Sequence, residues 1–277
     1  MASLTVALTL LLALLTSSVE HGTFALADGH ARIAAQMHVT GNGTNDLDIV
    51  QFARGSTVPI VRYDLDATKL IHLVIVRDDF GSFAHLHPTF TPNGHFHLRV
   101  ALASGHRYYA YVDTQPHGFG QQVFRFELKA GAPPLHLDTA VARSLPYTYA
   151  GPYGVRVGTT HLAAGTAHEV PVTITRDGAL ASDLHPYLGA AAHCVFINTS
   201  SLTYVHVHPT PGTSGSAMHA TSGMPMAGMA HALAPNARPD GRLTLHVPAL
   251  RAGTYKMWLQ FAGKGGVFVA PFTFVAR

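Results

Sequence analysis

Three groups of side chains in this chain of 277 residues and 20 histidines could hold a metal ion. In SFAHLHPTF (82–90) and LTYVHVHPTP (202–211), His85 and His87, and His206 and His208, flank one apolar residue and precede a proline. The third group, MHATSGMPMAGMAHA (218–232), offers Met218, Met224, Met226 and Met229 with His219 and His231. Thioether and imidazole together select Cu(I), and the softness of sulfur excludes Mg and Ca. An exposed loop of small residues has no packing reason to contain methionine, so copper capture is the reading adopted for 218–231. The bland alternative is a low-complexity insertion, or methionines capping a core.

The paired histidines read less simply. Strand alternation sends His85 and His87 to one face, as two imidazoles need in order to reach one ion. Pro88 cannot donate to a ladder and biases His87 toward an extended conformation, which places the pair at a strand end or on an edge. The PNG turn (92–94) argues the other way. A two-residue Asn93-Gly94 loop sets Thr91 opposite Phe96 and His87 opposite Val100, which turns both histidines toward the core side of Phe96, Leu98 and Val100. A ligand pair and a structural pair at the rim of a sandwich both remain open. His95 and His97 then point outward with His106 and His117 nearby, and surface histidines are the simpler reading.

The elements that must position these groups repeat. LIHLVIVRDDFGSFAHLHPTF (70–90) aligns with AAHCVFINTSSLTYVHVHPTP (191–211), so that His72 and His193 each precede a His-x-His-Pro pair by the same interval of twelve residues. GHFHLRV aligns with GRLTLHV and RYYAYV with TYKMWL. Short apolar alternations broken by Gly, Pro, Asn and Asp recur throughout, and no convincing helical period is present. The fold class is therefore all-β, with two tandem immunoglobulin-like or cupredoxin-like sandwiches of about seven strands each. The expected boundaries are 28–145 for the first and 146–277 for the second, with the linker near RSLPYTYAGPYG and a Met/His-rich loop at 210–241 where the first copy has only the PNG turn.

LTVALTLLLALL (4–15) reads as the apolar core of a signal peptide over residues 1–27, too short to span a membrane, and no later segment approaches that length. Cleavage before Asp28, or near Thr16-Ser17-Ser18, implies a secreted or periplasmic protein. A mature chain starting Asp-Gly-His would make His30 part of a square-planar nitrogen set suited to Cu(II) or Ni(II). Charged residues are 12% of the chain and the net charge is +3 with no basic run, so nucleic acid is not an expected partner. The only cysteine, Cys194, excludes an intramolecular disulfide and reads as a buried small hydrophobe. No hydrolase, metalloprotease or phosphate-loop motif is present.

DLHPYLGAAAH (183–193), VHVHP (205–209) and GTYKMWLQF (253–261) resemble a module of uncharacterised bacterial exported proteins, often encoded near metal-handling genes. The resemblance implies a β-sandwich linked to copper or another heavy metal, with His193, His206 and His208 the matching histidines. The expected function is that of an exported, non-enzymatic copper-binding protein that buffers Cu(I)/Cu(II) or hands it to another exported copper protein. The candidate ligands are the six side chains of 218–231, both histidine pairs, His72, His193 and His30. A purely structural or interaction role, and a copper oxidoreductase with one copper in each domain, are the rival readings.

Overall fold

The computed structural model describes residues 17–27, 29–42, 44–130, 145–212 and 233–277. Among these residues every regular element is a β-strand, and no helix is long and apolar enough to cross a membrane. The strands form four sheets, two to each half. The corresponding sheets of the two halves share a strand order, so the internal repeat is a repeat of topology.

In the first half an outer sheet runs Ser17–His21, Ile33–Asn42, Thr44–Ala53, His95–Ala101, Thr89–Phe90. Its inner sheet runs Thr23–Phe24, Gln122–Ala130, His106–Pro116, Ile71–Arg77, Phe83–Leu86. The second half repeats this with Tyr147–Ala150, Tyr153–Val157, His168–Arg176, Arg242–Val247, Thr210–Pro211 outside. Inside it has His161–Leu162, Gly266–Ala276, Gly253–Gly263, His193–Asn198, Tyr204–Val207. Each pair of sheets encloses its own apolar core.

The inner sheets are buried on both faces. Along Ile71–Arg77, Ile71, Leu73 and Ile75 enter the first core, while Val74 and Val76 turn away into a third cluster. That cluster also holds Ala25, Phe80, Tyr111 and Val123 from the first half and Val195, Ile197, Tyr204 and Trp258 from the second. It packs the two inner sheets against each other, and Phe83 stacks on Trp258 with ring centroids 5.0 Å apart. Burial on both faces explains why IHLVIV and HCVFI are continuous apolar runs where a half-exposed strand would alternate. Cys194 and Phe196 face the second core, so the cysteine is a buried small hydrophobe there.

Residues 17–27, assigned to the leader by sequence, are part of this fold. Ser17–His21 pairs with Ile33–Asn42, Thr23–Phe24 pairs with Gln122–Ala130, and the Ala25 carbonyl accepts the Tyr204 amide at 2.9 Å. The apolar pattern stops at Leu15, but strand pairing that starts at Ser17 leaves no signal in an h-region test. Cleavage before Asp28 would strip two strands and the Ala25–Tyr204 contact, whereas cleavage before Val19 would keep Thr23–Phe24 and that contact. A chain beginning at Asp28 is expected to melt below one beginning at Ser17, by on the order of 1.5 kcal/mol for Phe24 alone. Equal melting temperatures in calorimetry would refute this.

Candidate metal centre

Alternation on the inner strands places the site. His72 lies on Ile71–Arg77 on the same face as Val74 and Val76, and His193 lies on His193–Asn198 on the face of Val195 and Ile197. Both point into the contact between the sandwiches, where each side chain is 1% exposed or buried to that degree. The edge strands bring the pairs to the same place, with Val74 opposite His85 and Val195 opposite His206.

The parity expected from the PNG turn is corrected in two respects. The turn sets Phe90 opposite Phe96, one residue off the two-residue hairpin, because it spans 92–94 with Gly94 at φ 91. The chain also changes sheets at Pro88, leaving the inner strand Phe83–Leu86 for the outer strand Thr89–Phe90. Leu86 therefore packs on the core and His85 faces the other way. Pro209 makes the same crossing between Tyr204–Val207 and Thr210–Pro211.

Each half builds one three-histidine set from the same atoms. His72 Nδ1 lies 2.9 Å from His85 Nε2 and 3.3 Å from His87 Nε2. His193 Nδ1 lies 3.2 Å from His206 Nε2 and 3.1 Å from His208 Nε2. The other ring nitrogen of each strand histidine is committed: His72 Nε2 donates to the Asp66 carbonyl at 3.3 Å and His193 Nε2 to the Tyr187 carbonyl at 3.0 Å. Those carbonyls sit on matching four-residue turns, Asp66–Lys69 and Tyr187–Ala190, closed by reciprocal backbone bonds. Ala67 and Leu188 take φ 52 at their second positions, and Gly189 follows at φ 83. The Y-L-G-A of the second-half motif is therefore the turn that fixes the tautomer of His193, as such outer carbonyls do at metal sites.

Support for the paired histidines comes from the opposite domain. His85 Nδ1 donates to Gln260 Oε1 at 2.9 Å, and His206 Nδ1 lies 3.3 Å from Asp113 Oδ2. Gln260 is paired in its own sheet with His193, and Asp113 with His72, so each spans the interface from equivalent positions. Asp66 lies beside the centre, with Oδ2 3.6 Å from His72 Nε2 and Oδ1 3.9 Å from His208 Nδ1. Asp66, Asp113, Gln260 and the Tyr187 carbonyl escaped the sequence reading. The available signal was the alignment of RYYAYVD with TYKMWLQ, which puts Asp113 and Gln260 at one position of the repeat.

With Nε2 of His72 and Nδ1 of His85 both donating, His72 Nδ1 and His85 Nε2 are two lone pairs facing each other at 2.9 Å. A proton between them would relieve the contact, but the site rejects one. Burial, with His85 and His87 adding repulsion, pushes His72 down to about 2, while burial takes His85 to about 4 and His87 to about 3. Burial likewise drives His193 and His206 well below the ordinary imidazole value, and lowers His208 against the pull of Asp66. Burial raises Asp113 to about 8 and also raises Asp66. A transition-metal ion fits instead, since metal–nitrogen bonds of about 2.05 Å at angles of 90–110° need nitrogens roughly 2.9–3.3 Å apart.

The same shifts set an acid limit on metal-free protein. Above the unfolded imidazole value near 6.5 these histidines contribute nothing; as pH falls below it the unfolded chain takes up protons that the folded chain refuses. Stability falls by about 1.4 kcal/mol per pH unit for each of His72 and His85 until their folded values are reached. Asp113 and Asp66, both raised by burial, act in the opposite direction, as two groups against the six histidines. Melting temperatures of chelator-treated protein are expected to drop steadily from pH 6.5 to 4.5, and a flat profile would contradict the assignment.

The remaining candidates fall elsewhere. Met218, His219, Met224, Met226, Met229 and His231 lie outside the described residues. His30 is exposed and takes no part in the interdomain cluster. His95 and His97 lie on the outer sheet beside Asp48, with His95 Nδ1 2.9 Å from its Oδ1, while His117 pairs with Asp64.

Residues 148–277, the second half, match the family model described as "Domain of unknown function (DUF8832)". No match is found among curated proteins. Among solved structures, a chimeric titin Z1Z2-Z1Z2 tandem carrying a GRGDS peptide from fibronectin is 11% identical, covers 85% of this chain and 92% of its own, and has a TM-score of 0.20. Salmonella alpha-2-macroglobulin reacted with methylamine is 7% identical over 89% of this chain and 17% of that one, at a TM-score of 0.23. The BSP domain of a biofilm associated protein is 8% identical over 95% and 52%, at 0.22.

Proposed function

We propose that this is an exported copper-binding protein whose principal site lies between its two sandwiches and is built from His72, His85 and His87 with His193, His206 and His208. The observation that carries the reading is the approach, twice over, of two imidazole Nε2 atoms to within 3.3 Å of one Nδ1, on rings whose burial disfavours protonation. An all-imidazole set suits Cu(II), Zn(II) or Ni(II), and Cu(II) heads the affinity order for such ligands. The methionines of 218–231 would add Cu(I) capture, and the protein would buffer the metal or pass it to an exported partner without catalysing a reaction.

Because metal bound to the folded state alone stabilises by RT ln(1 + [L]/Kd), saturating Cu(II) at about 1,000 times Kd is expected to add about 4 kcal/mol over chelator-treated protein. Thermal melts with Cu(II), Zn(II) and chelator test the proposal. Identical melting temperatures in all three would sink it, and a shift with Zn(II) alone would reassign the metal.

A further inference from the structure

We propose that the interdomain centre is dinuclear, one copper ion per three-histidine set, with the two ions joined by a single small oxygen ligand, hydroxide in the Cu(II) state. This rests on the metal-binding reading above and goes beyond it in nuclearity and in the ligand bound.

Each set is complete in itself. In each, two Nε2 atoms lie 2.9–3.3 Å from one Nδ1, the spacing of two nitrogens on one ion. The atoms, the carbonyl behind the strand histidine and the cross-domain partner of the first paired histidine are all duplicated. Whatever ion the first set holds, the second is built to hold as well. A single ion at the middle would draw on His72, His85, His193 and His206 only, and would leave His87 and His208 as imidazoles pressed against Nδ1 atoms already in use.

The sets are also close. Donor atoms of His72, His85, His193 and His206 all lie within 4.8 Å of one another, and the His72 and His206 rings are 4.9 Å apart by centroid. Two-metal sites hold their ions about 3.5–4 Å apart around a shared oxygen ligand, and donor atoms of the two halves lie close enough together to serve such a pair. Three protein ligands would leave each ion an open position, and one oxygen ligand shared between the ions would fill both. Water fills them by losing one proton to solvent and placing the resulting hydroxide between both ions, with no change in oxidation state.

Copper counting and spin counting on one sample test this. The protein is loaded with Cu(II), which the thioethers of 218–231 hold poorly, and freed of excess by gel filtration. Two d9 ions sharing one hydroxide couple antiferromagnetically, so two coppers per chain with nearly all the paramagnetic resonance signal missing is the expected result. His85→Ala with His87→Ala is expected to leave one copper per chain and to restore a full signal from it. One copper per chain in wild type, or two with full signal, would overturn the dinuclear centre while leaving the metal-binding reading intact. No retained copper would overturn both, unless a Zn(II) count gives two ions per chain, which would support the paired sites with a different metal.

Discussion

Replacing His72 and His193 together by alanine is expected to abolish copper binding at the interdomain centre. Each Nδ1 is the atom around which both Nε2 atoms of its set gather, so the double variant leaves two nitrogens in each set with nothing to hold their spacing. The loss should exceed by a wide margin the roughly 10–100-fold that removing an outer partner costs. Gln260→Leu provides that smaller benchmark. Gln260 belongs to the second sandwich, yet its Oε1 orients His85 of the first, so the variant should weaken the first set while leaving its three ligands in place. Competition against a chelator of known affinity would measure both. Since His72 and His193 are buried, their alanine variants leave cavities, and His72→Gln with His193→Gln provides a closer match in volume. Wild-type affinity in both double variants would place the metal elsewhere, with 218–231 the next candidate.

The two-sandwich fold was readable in the sequence because it depends on local signals: short apolar strands, turn residues and a duplicated interval of twelve residues between His72 and His85 and between His193 and His206. Those histidines were named as candidates for the same reason. The site they form is not legible there, because it arises where the two sandwiches meet. IHLVIV and HCVFI carried the relevant clue, since a sandwich strand with no polar face must be covered on both sides. Within a single half, the only guide to the direction of the pair is parity across the PNG hairpin, which points it toward the core, and the three-residue turn and the sheet crossing at Pro88 reverse that direction. Pro88 marks a strand end, as its missing amide implies, but that amide says nothing of the passage from inner to outer sheet that the chain makes there and again at Pro209. Asp113 and Gln260 share one position of the repeat, but their role follows only from the facing of their two strands across the interface.

Trp258→Ala is expected to be the most damaging single substitution outside the histidines, and to damage the site without touching it. Trp258 is 3% exposed at the interface, stacked on Phe83 and packed near Phe80. Truncating a buried Trp costs about 3–5 kcal/mol, which at roughly 2–4 °C per kcal/mol is a fall in melting temperature on the order of 10 °C. The consequence particular to this position is that the apolar contact also holds the two three-histidine sets together. His85 depends on Gln260, and His206 on Asp113, only while the sandwiches stay docked. Weakened docking should therefore lower copper affinity and separate the unfolding of the two domains into distinct calorimetric transitions. Met257→Ala isolates this effect. Met257 is the adjacent residue on the same strand but points into the second core, where truncation costs about 2–5 kcal/mol without loosening the interface. If Trp258→Ala melts in one transition and binds copper as tightly as Met257→Ala does, the two sandwiches do not rely on each other to form the site, and each set must bind its ion alone.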